Sequence, residues 1–282
     1  MKLIENEDIA IVIPLYKEDI NEDEQKSLEQ ALMIFANRHI IFVSPKDFDF
    51  FEFKKKFLGK NDCTSIIFDS EYFESVEAYN LLMLSKLFYL QFSSYKYILV
   101  YQLDAYVFKD ELNYWCNLGL DYIGAPWFTD DNELLFDTNA GNGGFSLRNV
   151  HSFLGILNVN KIVYSPRQLF NIYNKRGIVN LMLKVPLLLL RVFGYHNNVK
   201  YLIDKNNNKE DLFWANVAPL INKNFTVAKS EIAIRFAFEQ QPTFLYKKNN
   251  NELPFGCHAW KKYDFDFWEE YIENDRRPNC IV

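Results

Sequence analysis

The chain has 282 residues, of which 49% are hydrophobic and 17% aromatic, and this globular composition excludes a disordered or fibrous protein. A net charge of −6 and a pI near 5.4 disfavour DNA or RNA as a partner, because binding them needs a basic face that neutralises phosphates. Cys63, Cys116, Cys257 and Cys280 lack the paired spacing of a zinc site or a disulfide framework, which indicates buried thiols in a reducing compartment.

The amino-terminal residues 1–8 are largely polar and lead directly into a predicted strand. They lack the apolar run that a secretory signal requires. A cytoplasmic location is therefore the expectation, with attachment to the inner face of the membrane as a variant of it.

Strand and helix patterns alternate through the first hundred residues. Strands are predicted at 9–13, 39–43, 64–68 and 97–103, with helices at 22–37, 48–58 and 75–92. Near-continuous apolar runs separated by helices are typical of parallel strands that are covered on both faces. The sequence therefore predicts an α/β fold with a Rossmann-type nucleotide-binding half.

The turn after the first predicted strand reads Pro14-Leu15-Tyr16-Lys17-Glu18. Neither the dinucleotide fingerprint Gly-x-Gly-x-x-Gly nor the P-loop pattern is present there. Ordinary dehydrogenases and P-loop kinases are therefore disfavoured.

Asp104 follows the fourth predicted strand, in the run Tyr101-Gln-Leu-Asp104-Ala-Tyr106-Val-Phe108. A carboxylate at the carboxyl end of a strand lies where α/β sheets bind their ligands. If that ligand is phosphorylated, the chain should also provide a nucleotide pocket, a catalytic carboxylate and a group that neutralises phosphate.

Beyond Asp104 the alternation becomes less regular. A short strand is predicted within 121–127, a glycine-rich segment at 139–148 leads into another strand, and a helix begins at Glu210 after a polar loop. We find neither an internal repeat nor a linker that would separate two free domains, which predicts one unit for the whole chain.

The apolar segment 178–193 is interrupted by Lys184, Pro186 and Arg191. It is also shorter than the ~20 residues that a membrane span needs. Two interpretations stay open: a helix buried against the rest of the domain, or a helix in peripheral contact with a membrane, its basic residues directed toward the head groups.

Six motifs occur in order along the chain: Ile13-Pro14-Leu15-Tyr16-Lys17, Leu103-Asp104-Ala105-Tyr106-Val107-Phe108, Tyr122-Ile-Gly-Ala-Pro-Trp127, Gly141-Asn-Gly-Gly-Phe-Ser-Leu-Arg148, Glu210-Asp211 and Pro254-Phe-Gly-Cys-His258-Ala-Trp260. Together they resemble a family of glycosyltransferase-like proteins known mainly as a domain of unknown function. The family's broader architecture is similar to the GT-A glycosyltransferase fold.

This resemblance implies a single GT-A-like domain over 1–282 with a mixed central sheet. A nucleotide-binding half (1–108) would merge with an acceptor and catalytic half (109–282). It also implies a nucleotide-sugar donor, an acceptor hydroxyl and, in many such enzymes, a divalent metal such as Mn or Mg.

GT-A enzymes place Asp-x-Asp at this strand end, where the carboxylates hold a metal that helps the diphosphate depart. Asp104 matches the first acid, but Tyr106 stands at the second position, and a phenol is a poor ligand for a hard cation. Asp104 either binds a metal with water and phosphate or holds ribose or sugar hydroxyls. By the same resemblance, His258 completes the metal shell or contacts the diphosphate; a lone histidine is otherwise structural.

Glu210 and Asp211 precede an apolar helical run, so helix capping or dipole pairing is an ordinary explanation for them. The resemblance implies another role, since inverting GT-A enzymes place an acidic pair at a helix start beside the acceptor. We assign Asp211 as the general base and Glu210 as its support or as an acceptor ligand.

The donor-binding candidates are Pro14, Leu15, Tyr16, Lys17, Asp69, Lys86, Asp104 and Tyr106. Pro14, Leu15 and Tyr16 would wall the nucleobase. Lys17 and Lys86 would contact phosphate, and Asp69, at the end of the third strand, would accept a hydrogen bond from the nucleobase or the ribose. The acceptor-side or sugar-binding candidates are Trp127, Asn142, Gly143 and Gly144. Core packing is the competing explanation for the tryptophan and a β-bulge for the glycines.

The sequence thus predicts an inverting glycosyltransferase that moves a sugar from a nucleotide-sugar to a hydroxyl of a glycan or lipid-linked glycan. Two alternatives stay open. A nucleotidyltransferase would share the α/β half but usually needs a glycine-rich basic loop after the first strand, which this sequence lacks. A non-catalytic carbohydrate-binding protein derived from a transferase is favoured by the loss of the second acid at Tyr106.

Overall fold

A computed structural model describes residues 4–61, 63–129, 131, 133–135, 138–174, 178–205 and 209–273. Within these ranges Cys63, Cys116 and Cys257 are buried, as predicted. Cys280 lies outside the described residues.

The strands are β1 (Ile9–Pro14), β2 (His39–Pro45), β3 (Cys63–Phe68), β4 (Tyr97–Tyr101), β5 (Tyr106–Val107), β6 (Tyr122–Ile123), β7 (Phe145–Asn149), β8 (Ala237–Phe238) and β9 (Gly256–Cys257). The α-helices are α1 (Glu22–Ile34), α2 (Phe50–Phe53), α3 (Val76–Met83), α4 (Lys86–Gln91), α5 (Leu112–Asn117), α6 (Val150–Leu157), α7 (Pro166–Asn174), α8 (Ile178–Val192), α9 (Val199–Lys205), α10 (Glu210–Leu212), α11 (Ala218–Ile221), α12 (Ser230–Phe236), α13 (Pro242–Lys248) and α14 (Phe265–Trp268). Turns of 3₁₀-helix span Asn6–Asp8 and Ser70–Phe73, and π-helical turns span Lys54–Leu58, Phe213–Val217 and Glu269–Glu273.

Local capping explains where two of the helices begin. At α1 the Asn21 side chain accepts a hydrogen bond from the Glu24 amide (2.9 Å), and the Glu24 carboxylate accepts one from the Asn21 amide (2.8 Å). The single helix predicted for 75–92 is in fact two helices. Ser85 caps a second helix by accepting from the Phe88 amide at 3.1 Å, so the chain turns between α3 and α4.

The main sheet has six strands in the order β3-β2-β1-β4-β7-β6. β3, β2, β1 and β4 are mutually parallel, whereas β7 runs antiparallel to both β4 and β6. The predicted α/β fold with a mixed central sheet is therefore confirmed. The strand order reverses between β1 and β4, and such a switch point opens a crevice at the carboxyl ends of the two strands.

The core lies on both faces of this sheet. In β1, Ile9, Ile11 and Ile13 pack into a cluster with α1 and α5, while Ala10 and Val12 pack into a second cluster with α3, α4 and α6. The near-continuous apolar sequence of these strands follows from this double coverage. The first cluster draws on residues before and after 108, so the two predicted halves share a core; their boundary stays a prediction.

A small sheet in the order β5-β9-β8 lies beside the main one. β9 is antiparallel to β5 and parallel to β8, with Phe238 opposite Cys257. Because β8 and β9 are parallel and in register there, Glu239 and His258 leave the sheet side by side. This sheet therefore sets the position of both polar side chains.

Helix α8 covers most of the apolar segment predicted at 178–193. Met182 is 71% exposed and Leu189 is 58% exposed, which contradicts the interpretation of a helix buried against the rest of the domain. Among the described residues, no helix has the length and apolar character needed to cross a membrane.

The register of β9 against the core yields a stability prediction. A Cβ at Gly256 would overlap the Phe145 ring, whereas a Cβ at Gly155 in α6 would meet no atom within 4 Å. We expect Gly256→Ala to lower the free energy of unfolding by about 1–3 kcal/mol through overpacking. Gly155→Ala should raise it by roughly 0.5–1 kcal/mol, since alanine favours the helix.

Urea denaturation of the two variants measures both changes. Equal effects of the two substitutions would contradict the close packing of β9 on Phe145.

Candidate active site

A cavity of about 500 Å³ opens at the switch point between β1 and β4. Its lining includes Pro14 at the end of β1, Tyr16 just beyond it, Gln102 and Asp104 after β4, and Tyr79 of α3. Ligand pockets commonly have volumes of about 300–1,000 Å³. The size and the location both suit a small organic ligand.

Asp104 presents its carboxylate to this cavity from the turn after β4. Its side chain is 55% exposed, and Oδ1 lies 3.2 Å from Nε2 of His258. The backbone holds the turn in place, because the Ala105 amide donates to the Gln102 carbonyl at 2.9 Å. Burial raises the pKa of Asp104, but the hydrogen bond and charge of His258 outweigh burial and leave the pKa below its usual value. Asp104 is ionised at neutral pH.

His258 lies between three polar side chains. Nε2 contacts Asp104 and also Oε1 of Gln102 at 3.2 Å, and Nδ1 lies 3.3 Å from Oε1 of Glu239. Burial lowers the pKa of His258, but the hydrogen bonds and charges of Asp104 and Glu239 outweigh it and raise the pKa to about 10. At neutral pH the ring is an imidazolium, a positive charge held behind the cavity wall.

Gly143 and Gly144 bring two charged groups against the start of β7. A Cβ at Gly143 would overlap the Glu210 carboxylate, and a Cβ at Gly144 would overlap the His258 ring. Any larger residue would displace those side chains. The space freed by these glycines is thus filled by the protein's own side chains; contact with a ligand stays a prediction.

Arg148 of β7 and Glu210 of α10 form a buried ion pair. The guanidinium donates to both carboxylate oxygens, at 2.8 and 3.2 Å. It also donates to the Tyr89 hydroxyl at 2.9 Å, to the Gly143 carbonyl at 3.2 Å and to Ser146 Oγ at 3.0 Å. Both side chains are almost completely buried, and the pair fixes the start of α10 to the sheet.

Asp211 follows Glu210 but makes no such pair in the described contacts; its Oδ1 accepts from the Leu212 amide at 2.7 Å. Burial raises the pKa of Asp211 to about 7, and the neighbouring negative charge of Glu210 adds to the rise. A carboxylate with this pKa can take up a proton at neutral pH.

Tyr79 is affected by charges on both sides of the site, those of Glu210 and of Asp104. Burial raises the pKa of its hydroxyl to about 12, against the lowering effect of a hydrogen bond with Gln102, and the charges of Glu210 and Asp104 both act on it. Asp211 in turn is influenced by the charge of Glu239, the partner of His258. Tyr79 is therefore affected both by the charge of the predicted donor acid and by that of Glu210, the neighbour of the predicted base.

The side chains at the cavity do not fit a complete metal site. Within the described ranges, no three His, Cys, Asp or Glu side chains are placed together as metal ligands. Asp104 and Glu239 contact opposite nitrogens of a protonated His258, and an imidazolium has no free lone pair for a metal. Of the two predicted metal ligands, Asp104 and His258, only Asp104 can still bind a cation.

Several donor-site predictions need correction. Leu15 is 1% exposed, and Tyr106 packs in the core beside Phe108 (ring centroids 5.4 Å apart), so neither can wall a nucleotide. Asp69 forms a surface ion pair with Lys46 at 2.5 Å. Lys86 lines a different cavity. Leu15, Asp69 and Lys86 lie after a predicted strand or within a predicted helix, whereas Tyr106 lies in β5, a short strand that was not predicted.

The structure brings Pro14, Tyr16 and Asp104 together at the cavity. Lys17 lies beside it, with Nζ 2.8 Å from the Glu24 carboxylate. On the acceptor side, Trp127 is half-buried against the second core cluster, and the Asn142 carboxamide accepts from the Gly144 amide at 3.1 Å. Their contacts with a sugar stay predictions.

Sequence reasoning missed Gln102, Glu239 and the role of Arg148. Glu239 follows the apolar run that ends at Phe238, much as Asp104 follows β4, and this strand-end position was an available signal. The charge of Arg148 in an otherwise apolar strand also called for a buried partner. Nothing in the sequence paired it with Glu210, 62 residues away.

Residues 62–258 match the family model described as "Protein of unknown function (DUF5672)". The chain therefore belongs to this family, which confirms the resemblance drawn from the six motifs. None of the curated proteins matches the chain.

Three solved structures are similar to the chain. Core-mannan synthase A from Aspergillus fumigatus, in an Mn/GDP form, is 11% identical with a TM-score of 0.45, covering 80% of this chain and 71% of its own. Mouse xyloside xylosyltransferase 1 is 11% identical with a TM-score of 0.44, covering 88% and 96%. A glycosyltransferase involved in glycosylation of the major capsid of PBCV-1 is 12% identical with a TM-score of 0.44, covering 94% and 98%. Similarity at this level does not carry an activity over to this chain.

The two adjacent acids give opposite stability predictions. The pKa of Asp211 is about 7 in the folded state and near 3.8 when unfolded, so its protonated form stabilises the fold below about pH 4 and this contribution is lost as the pH rises through 7. Asp211→Asn should therefore match the parent protein at low pH and be more stable above pH 7, by at most about 4 kcal/mol.

Glu210→Gln should instead destabilise the fold by about 3–5 kcal/mol at neutral pH, because it leaves Arg148 buried without its counter-charge. Denaturant unfolding across a pH series measures both variants. A stability gain for Asp211→Asn that does not vary with pH would contradict the assignment of its pKa.

Proposed function

We propose that the chain transfers a sugar from a nucleotide-sugar donor to a hydroxyl of a glycan or lipid-linked glycan. The observation that carries the proposal is Asp211, a half-buried carboxyl with a pKa of about 7. It follows Glu210, whose carboxylate packs on Gly143, and His258 packs on the adjacent Gly144. Sugar transfer needs a base at the acceptor and a charged group near the departing diphosphate, and Asp211 and His258 match these needs.

The donor would occupy the cavity at the β1–β4 switch point. Pro14 and Tyr16 offer apolar surface for the base, and the carboxylates of Glu74 and Asp104 can accept hydrogen bonds from ribose or sugar hydroxyls. The imidazolium of His258 lies behind Asp104 and would offset the charge of that carboxylate beside an incoming diphosphate. Its buried position keeps that positive charge fixed.

In the reaction, the acceptor oxygen forms a bond to the anomeric carbon while the bond from that carbon to the diphosphate oxygen breaks. The acceptor proton goes to Asp211, and the electron pair of the broken bond stays on the diphosphate. Attack from the face opposite the leaving group inverts the anomeric centre. Glu210 supports the base, because its ion pair with Arg148 fixes the start of α10.

Use of Mn or Mg is a separate part of the proposal. An ion that arrives with the donor diphosphate could bind the open carboxylate of Asp104. A cytoplasmic location and the division at residue 108 also stay proposals.

One observation favours a second candidate, a carbohydrate-binding protein without activity. Tyr106, at the position of the second acid, is buried in the core and cannot serve a diphosphate. The nucleotidyltransferase alternative gains no such support, since Lys17, the basic residue after β1, pairs with Glu24.

Turnover of Asp211→Asn tests the transferase proposal. The substitution should lower turnover by about 10²–10⁴-fold with donor affinity unchanged, because the base acts on the acceptor and not on the donor. In the parent protein, the rate should rise with pH through about 7 as Asp211 loses its proton. Release of nucleoside diphosphate from a panel of UDP- and GDP-sugars, with glycan acceptors, measures both.

Asp69→Asn is the matched control, because this strand-end acid lies on the surface in an ion pair with Lys46. It should retain turnover. Full activity of Asp211→Asn would rule out the base. Glycan binding by the parent protein, without any response to a nucleotide-sugar, would favour the non-catalytic binder.

A further inference from the structure

The charges of the chain are distributed unevenly. Residues 150–203 contain seven lysine or arginine residues and no aspartate or glutamate, although the whole chain has a net charge of −6. This segment includes α6, α7, α8 and most of α9. A basic region on an acidic protein indicates a partner with negative charge.

The described side chains of α8 expose an apolar stripe. Met182, Val185 and Leu189 follow the i, i+3, i+7 spacing of one helix face, and Leu190 and Phe193 extend the stripe. Phe193 is 84% exposed. An ordinary surface helix directs mainly polar residues to solvent, whereas α8 also exposes this apolar stripe.

The carboxyl end of α8 is held firmly in place. Arg191 donates to the Tyr173 hydroxyl of α7 at 2.8 Å and to the His196 carbonyl at 2.9 Å. A Cβ at Gly194 would lie 3.3 Å from the Ile162 side chain, so the turn after α8 packs against the segment before α7. These contacts fix the position of the apolar stripe relative to α7.

Exposed apolar side chains continue from α8 onto its neighbours. Phe170 of α7 and Tyr195 after α8 are both exposed. Lys161, Arg167 and Lys200 are exposed on the same group of segments, whereas Lys184 lies on the opposite side of α8 from the stripe. We call this combination the α7–α8 face; it joins apolar residues to basic ones.

We propose that the α7–α8 face binds the surface of a membrane that contains anionic phospholipids. The apolar side chains enter the boundary between head groups and acyl chains, and the basic residues contact lipid phosphates. A second copy of the chain is a poorer occupant, because a symmetric contact would set these basic segments against each other. The inference does not depend on the transferase proposal, but it would bring the cavity close to a lipid-linked acceptor.

Sedimentation with lipid vesicles tests this proposal. The full chain should bind vesicles of phosphatidylcholine mixed with phosphatidylglycerol, bind phosphatidylcholine alone at least about tenfold more weakly, and lose binding as salt is added. Equal binding to both kinds of vesicle, or binding to neither, would overturn it.

Two variants separate the apolar and the basic contributions. Leu189→Glu combined with Phe193→Glu should weaken binding at least about tenfold, and so should Arg167→Gln combined with Lys200→Gln. The matched control is Phe51→Glu, since Phe51 of α2 is 75% exposed far along the chain, and it should bind as the parent does. Unchanged binding of both double variants would refute the proposed membrane contact.

Sedimentation velocity without lipid should show a monomer. A dimer that is abolished by the Leu189 and Phe193 substitutions would refute the membrane proposal, because the apolar stripe would then be a contact between two copies of the chain.

Discussion

The buried ion pair between Arg148 and Glu210 is the constraint on which the candidate site depends. A guanidinium without exposure to water needs a counter-charge, and Glu210 provides it with two hydrogen bonds. This requirement fixes the first turn of α10 against β7. It also leaves Asp211 beside a negative charge in a poorly hydrated position, which is why the pKa of Asp211 rises to about 7.

The second charged group of the site, His258, packs against Gly144, next to the glycine that meets Glu210. Gly143 makes room for Glu210 and Gly144 makes room for His258, so two adjacent residues set the spacing between an anionic and a cationic group. Asp104 and Glu239 keep His258 protonated. The strand-end cavity between β1 and β4 opens beside this arrangement, and the carboxylates in its lining can accept hydrogen bonds from the hydroxyls of a ligand.

Much of the main sheet could be predicted, because doubly covered parallel strands leave long apolar runs in the sequence. The two-residue strands β8 and β9 leave no such pattern, so the pairing that places Glu239 beside His258 was not visible. Side-chain direction was the other source of error. Leu15 lies in the predicted turn after β1 and Tyr106 lies in β5, a strand that was not predicted, and both side chains are buried in the core. Burial of their apolar surface stabilises the fold more than exposure at a cavity would.

The most direct measurement of the central claim is a crystal structure of the chain with a nucleoside diphosphate. We expect the nucleobase near Pro14 and Tyr16, the diphosphate close to Asp104 and His258, and an open approach from Asp211 toward the position of the sugar. A nucleotide bound elsewhere, or a diphosphate directed away from His258, would contradict the proposed donor site.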